Sequence, residues 1–508
     1  MKLIRTVILA STVSAMFSCM GGMDNSINLK TSNTTGWAYG DKESTDFELK
    51  KKTEEKTPVG MISIQGGSFS IGERGEFITA PRNNTRRNIT VNSFYMDKYE
   101  ISNINWREYT NWIRIVFERT APNLLKKATP DVTVWRDELA YNEPYLQNYY
   151  EHPAFNFYPV VGVTWEQAVE YCAWRTDRVN ELQLIQAGII APPDFTKLES
   201  MNYEQIRKEF VFTTQKYLLD ESYTPAEGSK PKLDPQGNVI KSEISDGKLR
   251  ANFRLPTEAE WEFAAYAPVA SENGLSTQGK IYPWNGSQPR NLSKKDLGKM
   301  QANFVRGRGD MMGLSGALND GSVFTAPVNS YSPNDFGLYN IVGNVNEWVL
   351  DVYSPTSYQD MAEYNSFRGN IYETLKTEGV DSIGHPSYEL DSLGRISTIV
   401  EDKKDDVRLH KDGDAFSTID TDFMLFADSV MLASQQIKVD PTDILAPKIS
   451  ANTRVYKGGS WKDRIYWLNP STRRYLDQDK ANNTIGFRCA MSMIGESQSS
   501  TINKQGLF

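Results

Sequence analysis

The sequence predicts an α+β domain with much irregular structure and two large insertions. Short apolar runs broken by Gly, Asn and Pro read as brief strands joined by tight turns. Two capping boxes, Thr164-Trp165-Glu166-Gln167 and Thr257-Glu258-Ala259-Glu260, open helices directly after extended segments. No internal repeat is present, and the mixture of the two patterns is that of an α+β layer arrangement.

In chain order, strands are expected at Met61-Ile62-Ser63-Ile64, within Gly66-Gly67-Ser68-Phe69-Ser70-Ile71-Gly72, and at Ile89-Thr90-Val91. Ser102 is placed to N-cap a helix that begins Asn103-Ile104-Asn105-Trp106. The capped helices after Thr164 and Thr257 follow, with helical texture between them at Tyr203-Glu204-Gln205-Ile206-Arg207-Lys208-Glu209-Phe210. Gly- and Asn-rich turns run from Ile281 to Asp351, an acidic, weakly apolar stretch from about Ser354 to Asn452, and a strand-like end through Ile485-Gly486-Phe487-Arg488. The boundaries predicted are a domain over 58–494, insertions at about 176–250 and 354–452, and a tail over 495–508.

The N-terminus carries an address. Lys2 and Arg5 precede an apolar stretch from Val7 to Phe17 that is short for a bilayer span and reads as an export signal over 1–18. It ends in Met16-Phe17-Ser18-Cys19, which resembles a bacterial lipobox, although Phe17 is bulkier than usual. Lipidation of Cys19 is the expectation; an ordinary cleaved signal with an incidental cysteine is the alternative. Residues 19–57 are polar and read as a tether, and the absence of an acidic cluster over Met20–Ser26 favours an anchor in the outer membrane facing the periplasm. A hydrophobic content of 39% with 11 Trp is that of a folding chain. A net charge of -8 without a basic run excludes nucleic acid as a partner.

A series of motifs carries a resemblance: Gly66-Gly67-Ser68-Phe69 leading to Tyr95-Met96-Asp97-Lys98-Tyr99-Glu100; Tyr158-Pro159-Val160-Val161-Gly162-Val163-Thr164-Trp165 with Tyr171-Cys172-Ala173-Trp174; Arg254-Leu255-Pro256-Thr257-Glu258-Ala259-Glu260-Trp261-Glu262; Tyr282-Pro283-Trp284; Phe336-Gly337-Leu338-Tyr339-Asn340-Ile341-Val342-Gly343-Asn344-Val345-Asn346-Glu347-Trp348; Gly458-Gly459-Ser460-Trp461; and Ile485-Gly486-Phe487-Arg488-Cys489. In this order they resemble the formylglycine-generating-enzyme (sulfatase-modifying factor) family, whose fold is related to C-type lectins. Within it, Tyr141-Asn142-Glu143-Pro144 through Trp174-Arg175-Thr176-Asp177-Arg178-Val179-Asn180-Glu181 is similar to the gliding-motility and type IX secretion lipoproteins of the GldJ/GldK group, nearer its GldJ branch.

The resemblance implies a site and also its loss. Family enzymes hold copper on two thiolates, soft ligands that suit Cu(I). The matching positions here are Asp463 and Leu468, so neither catalysis nor copper is expected. Cys172 and Cys489 match a family disulfide. Structural calcium, a hard cation taking turn oxygens, is implied at Asn340 and Glu347 with the carbonyls of Gly343 and Val345. A second site is implied at Asn303 and Asp320 with the carbonyls of Phe304 and Ser322. In both, the alternative is that these groups hydrogen-bond their own turns.

Other chemistry lacks its minimum parts. The three histidines, His152, His385 and His410, form no H-E-x-x-H, and there is no C-x-x-C, G-x-S-x-G or P-loop. Asp405-Asp406 reads as a solvated pair. The function expected is a non-catalytic scaffold of the type IX secretion and gliding machinery, with GldK and GldN ring proteins implied as partners and the insertions as contact regions. Two rivals stand beside it. One is a divergent oxidase using a pocket around Trp461, Asp463, Arg464 and Arg488; the other is a carbohydrate- or peptide-binding module whose cleft uses Trp461, Trp467 and Tyr475.

Overall fold

A computed structural model describes residues 31–32, 34–39, 56–73, 84–137, 139–219, 232–233, 239–271, 274–276, 280–306, 320–353, 367–369, 371–380, 386–400 and 452–494. The export signal, Cys19, most of the tether, His385, His410, Asp405-Asp406 and the tail lie outside them. The chain divides into two compact units, Met1–Thr53 and Glu54–Phe508, and the fold lies in the second. Among the described residues no helix is long and apolar enough to cross a membrane.

The expected strands form. Strand β1 (Met61–Ile64) pairs antiparallel with β4 (Phe94–Asp97) in the register Met61↔Asp97, and β2 (Gly67–Ile71) pairs with β3 (Arg87–Val91) as a separate ribbon. The C-terminal β14 (Ala490–Ser492) adds to the other edge of β4 and carries the short β5 (Phe253–Arg254), which gives one sheet in the order β1-β4-β14-β5. A second sheet is built around β6 (Asn346–Val352). It pairs antiparallel with β11 (Thr453–Lys457), which holds β12 (Arg474–Asp477), and parallel with the two-residue β13 (Ile485–Gly486).

Helix α1 (Asn103–Phe117) starts at Ser102, whose backbone N–H donates to Asn105 Oδ1 at 3.3 Å. Its buried positions Trp106, Tyr109, Ile113, Val116 and Phe117 recur at helical spacing on one face. Helix α2 (Trp165–Gln186) opens on the predicted capping box: Thr164 Oγ1 accepts from Gln167 N–H at 3.1 Å and Gln167 Oε1 from Thr164 N–H at 2.9 Å. It runs well past residue 176, because Asp177, Asn180, Glu181 and Leu184 continue its buried stripe. The short helix α3 (Thr214–Leu219) lies in the first insertion. Helix α4 (Glu258–Tyr266) has the second predicted box, Thr257 with Glu260, and is buried all round. The expected helical texture at Tyr203–Phe210 is one α-turn followed by a π-helical turn.

The first sheet and helices α1 and α2 enclose one core. The Trp106 ring stacks on Tyr171 at 5.3 Å and meets Phe487 edge-on at 5.8 Å, while its Nε1–H donates to Ala128 O at 3.0 Å. A second core, under α4 and the β2–β3 ribbon, contains Trp261, Phe263, Val349 and Leu468. Trp106→Ala is expected to cost about 3–5 kcal/mol and Thr164→Ala about 1 kcal/mol, read as shifts of the urea midpoint at unchanged slope. Equal losses in the two variants would contradict this packing.

Candidate functional site

Residues 340–347 form the tight turn that leads into β6, and its backbone needs left-handed conformations at Asn340 (φ 48°), Gly343 (φ 78°) and Asn344 (φ 63°). Asn tolerates this region and Gly adopts it without strain. A Cβ on Gly343 would lie 2.7 Å from Asn303 O, so the turn also requires glycine for close approach. Asn344 N–H donates to that same Asn303 carbonyl at 3.0 Å, and Asn344 Oδ1 accepts from Ala326 N–H at 2.7 Å. The two predicted cation sites are thereby brought into adjacent turns.

At the end of the first turn Glu347 is fully buried against Arg488, which donates through Nε and Nη2 at 2.6–2.9 Å. Trp261 Nε1–H adds a donor to Glu347 Oε2 at 2.8 Å. Glu347 is therefore engaged by protein donors, and beside it Glu100 Oε1 and Asn340 Oδ1 are buried without a hydrogen-bond partner among the described residues. These two side chains adjoin: Asn340 Nδ2 donates to Glu100 Oε2 at 3.3 Å, as does Asn344 Nδ2 at 2.8 Å. Burial, and next the charge of Glu347, push the Glu100 carboxyl up to about 8 against the opposing pull of Arg488 and the two asparagines. Orphaned oxygens on a buried carboxyl and an amide form a set suited to a hard cation.

In the second predicted set, Asp320 accepts from Phe304 N–H at 3.3 Å and Ser322 N–H at 3.1 Å, and Asn303 Nδ2 donates to Phe324 O at 2.7 Å. The Asp320 carboxylate thus bonds backbone N–H groups of Phe304 and of its own turn, while the Asn303 amide turns to Phe324 O and Asn344 Oδ1. Among the described residues no group of three or more His, Cys, Asp or Glu side chains is arranged to hold a metal.

The positions matching the copper thiolates lie on the loop after β11. Asp463 accepts from Arg474 through both oxygens at 2.7 Å, from Ser460 N–H and Oγ at 2.9 and 2.6 Å, and from Asn346 Nδ2 at 3.3 Å. Burial raises its pKa, but Arg474 and these donors outweigh that and hold the carboxyl below its usual range. Leu468 is fully buried in the second core. An ion-paired carboxylate and a core alkyl group do not fit Cu(I). The thiols of Cys172 and Cys489 are both buried, with sulfurs 3.4 Å apart, and burial, then its partner thiol, push Cys489 far up.

The aromatic residues of the predicted cleft do not share one surface. Trp461 packs on Trp135 and Phe324. The Arg474 guanidinium covers Trp467 at 4.4 Å, whereas Tyr475, next along β12 and so on its opposite face, packs tilted against Tyr353 at 4.2 Å. His152 is exposed and caps a turn by accepting from Ala154 N–H.

Sequence reasoning missed Glu100 as a site residue, although a carboxylate flanked by Tyr99 and Ile101 just before a helix was a visible signal. It also missed a second buried network. Lys457 Nζ bridges Glu258 and Glu262 at 3.0 and 2.8 Å, and Arg473 pairs with Glu258 at 2.7 Å. Glu258 N–H donates to Asp351 at 2.7 Å; burial, then the charge of Glu258, raise Asp351 to about 7.

Residues 46–493 match the family described as sulfatase-modifying factor enzyme 1-like domain. The chain is 25% identical to the formylglycine-generating enzyme of Mus musculus over 57% of this chain and 58% of that protein. It is 39% identical to the Streptomyces coelicolor enzyme of the same name over 32% and 48%, respectively. It therefore spans about half the length of these relatives. It is also 25% identical to the inactive C-alpha-formylglycine-generating enzyme 2 of Bos taurus, over 60% of this chain and 74% of that one. Among solved structures, PvdO from Pseudomonas aeruginosa aligns with a TM-score of 0.39 at 15% identity, covering 88% of this chain and all of that one.

Glu100 gives a pH prediction. Its folded pKa lies above its unfolded value, so the stability it contributes is complete below about pH 4.5 and is lost as pH rises through about 8. Asp351 acts in the same sense but is spent by about pH 7. In chelator, Glu100→Gln is expected to abolish the part of the decline in urea midpoint that continues from pH 7 to 8. An unchanged decline in the variant would show that Glu100 ionises freely in the fold.

Proposed function

This chain belongs to the sulfatase-modifying factor enzyme 1-like domain family, and from that premise we propose that it uses the family fold as a non-catalytic scaffold. The observation that carries the reading is the chemistry at 463 and 468. Where two thiolates would hold copper, one side chain is locked to Arg474 and the other fills the core. One relative bears a name that calls it inactive, so a member without the chemistry is no anomaly among the matches.

The finer reading rests on the resemblance of 141–181 to the GldJ/GldK group. The protein is an outer-membrane lipoprotein anchored through Cys19, facing the periplasm, and a structural component of the type IX secretion and gliding machinery that docks GldK and GldN ring proteins. Calcium is its structural ion. Glu100 Oε1 and Asn340 Oδ1, with the Gly343 and Val345 carbonyls, supply one set of oxygens, and Asn303 and Asp320, with the Phe304 and Ser322 carbonyls, the other. The ion would balance the extra carboxylate beside Glu347 and tie the two turns together. In an oxidising compartment Cys172 and Cys489 join as a disulfide.

Extraction of the native protein in mild detergent is expected to yield stoichiometric secretion-ring chains with calcium and without copper. The purified chain, supplied with Cu(I) and a cysteine peptide of the sulfatase type, is expected to form no formylglycine. A partner-free monomer that carries copper and converts the peptide overturns the proposal. For the cysteines, both are expected to resist alkylation in unfolded, unreduced protein, and Cys172→Ser to lower stability by about 2–5 kcal/mol; ready labelling of both would refute the bond.

A further inference from the structure

The two insertions meet, and their contact is built rather than incidental. Arg207 Nη1 donates to Leu390 O and Asp391 O at 2.9 and 2.8 Å, and Tyr203 Oη donates to Ser392 O at 2.8 Å. Gly394 (φ 82°) sits so close that a Cβ would lie 2.8 Å from Arg207 O. The Asp391 carboxylate accepts from Leu393 and Arg395 N–H at 2.8 Å, which fixes that turn, and Arg395 reaches back to Asp177 on α2 at 3.6 Å. On the other side Lys216 Nζ, on α3, donates to the carbonyls of Arg207 and Val211 at 2.8 and 2.6 Å and holds the π-turn against α3. Desolvation lowers Lys216 to about 8.

Between them lies a cleft of about 850 Å³. One wall comes from the first insertion, from Ile190 to Leu219. The other comes from the hairpin of β8 (Thr377–Val380) and β9 (Pro386–Tyr388) with the strand-like chain around Ile396. A separate ribbon pairs β7 (Glu373–Leu375) with β10 (Thr398–Val400). The floor is apolar, with Met201, Phe210, Leu390 and Ile396 among its residues. The exposed charges of the lining are Lys197, Lys208, Glu209 and Glu378, none in an ion pair among the described residues, and Asp194, which accepts from Thr196 N–H and Oγ1.

We propose that this cleft between the insertions binds an extended polypeptide segment of a partner protein, one that presents a large apolar side chain flanked by an acidic and a basic residue. The lining decides the class. Charges of both signs on one rim attract no polyanion. A sugar is bound on flat aromatic faces with hydrogen-bonding groups, whereas here Phe210 packs on Phe195 and Phe212 on Tyr217, which leaves Tyr388 among mainly aliphatic and proline neighbours. A wholly apolar ligand would leave two lysines and two glutamates unmatched across a solvent-open mouth. A peptide meets all three conditions: an apolar anchor for the floor, complementary charges for the rim, and a length that suits an open groove.

The inference rests on the scaffold reading and locates its partner surface. A photo-crosslinking amino acid is placed at Pro193 and, separately, at Tyr388 of the full chain in intact cells, with exposed Leu297 as a control position. The expected crosslink from both cleft positions, and not from the control, maps to one contiguous segment of another polypeptide. A synthetic peptide of that segment is expected to bind the purified chain and to lose about tenfold or more in affinity in the double variant Lys208→Glu, Glu209→Lys, which preserves net charge. Crosslinks to residues 401–451 of the same chain would overturn the inference, because the cleft would then be filled from within. No crosslink, or no loss in the double variant, while partner chains still co-purify would sink the cleft and leave the scaffold standing. Failure of any partner to co-purify with the unaltered protein removes the scaffold reading, and this inference with it.

Discussion

The buried pair of Arg488 and Glu347 is the constraint on which the rest of the domain is arranged. Arg488 follows β13 and precedes β14, so it stands where one sheet hands over to the other. Besides Glu347 on β6 it donates to Asp97 O at the end of β4 and to Tyr339 O at the start of the turn into β6. One guanidinium thus ties both sheets and the turn together, in geometry that a Lys could not copy. Both side chains are fully buried, and such a pair recovers its desolvation cost only when the remaining donors and acceptors are met. Trp261 Nε1–H, from α4, helps to meet it.

Charge is counted closely in this interior. Lys457 and Arg473 balance Glu258 and Glu262, and Arg488 balances Glu347. Arg175 pairs with Asp97 at 2.7 Å on the far side of β4. Two carboxyls remain, Glu100 and Asp351, and both are pushed upward by burial and by a neighbouring glutamate. The two differ in their surroundings. Asp351 accepts backbone N–H groups from Glu258 and Arg368. Glu100 has an oxygen that nothing among the described residues satisfies, beside an amide oxygen in the same condition. A proton suffices for the first, whereas the second has room in its bonding for a cation.

What the sequence made legible was local. The Thr164 and Thr257 boxes, the Ser102 helix start and the strands at 61–64 and 67–71 are each decided by residues within one turn or one hairpin, and they stand where expected. Of the second set named from motif resemblance, Asp320 meets Phe304 and Ser322 through their backbone N–H groups. What escaped depends on distant pairing. The resemblance implies Glu347 as a cation ligand; its pairing with Arg488 spans 141 residues, and nothing in either neighbourhood announces the other. Glu100 and Asn340 are 240 residues apart. The aromatic cleft failed for a simpler reason: Arg474 and Tyr475 are adjacent on a strand, so the rings they touch lie on opposite faces.

A site that performs chemistry must leave some of its groups unsatisfied for the substrate to use, and the loop from 458 to 474 leaves few. Asp463 receives donors from Ser460, Asn346 and Arg474, and Arg474 lies across the rings of Trp467 and Tyr456. Trp461 spends its N–H on Asn483 O and its faces on Trp135 and Phe324. The interactions that would otherwise be held for a transition state are spent on fixing the loop itself. That stiffens the body without opening it, and a stiff body loses little conformational entropy when another surface docks. On the insertions, by contrast, Lys197, Lys208, Glu209 and Glu378 are exposed beside an apolar cleft lining. Free charge and uncovered apolar surface for recognition are more plentiful there than around Asp463 and Leu468.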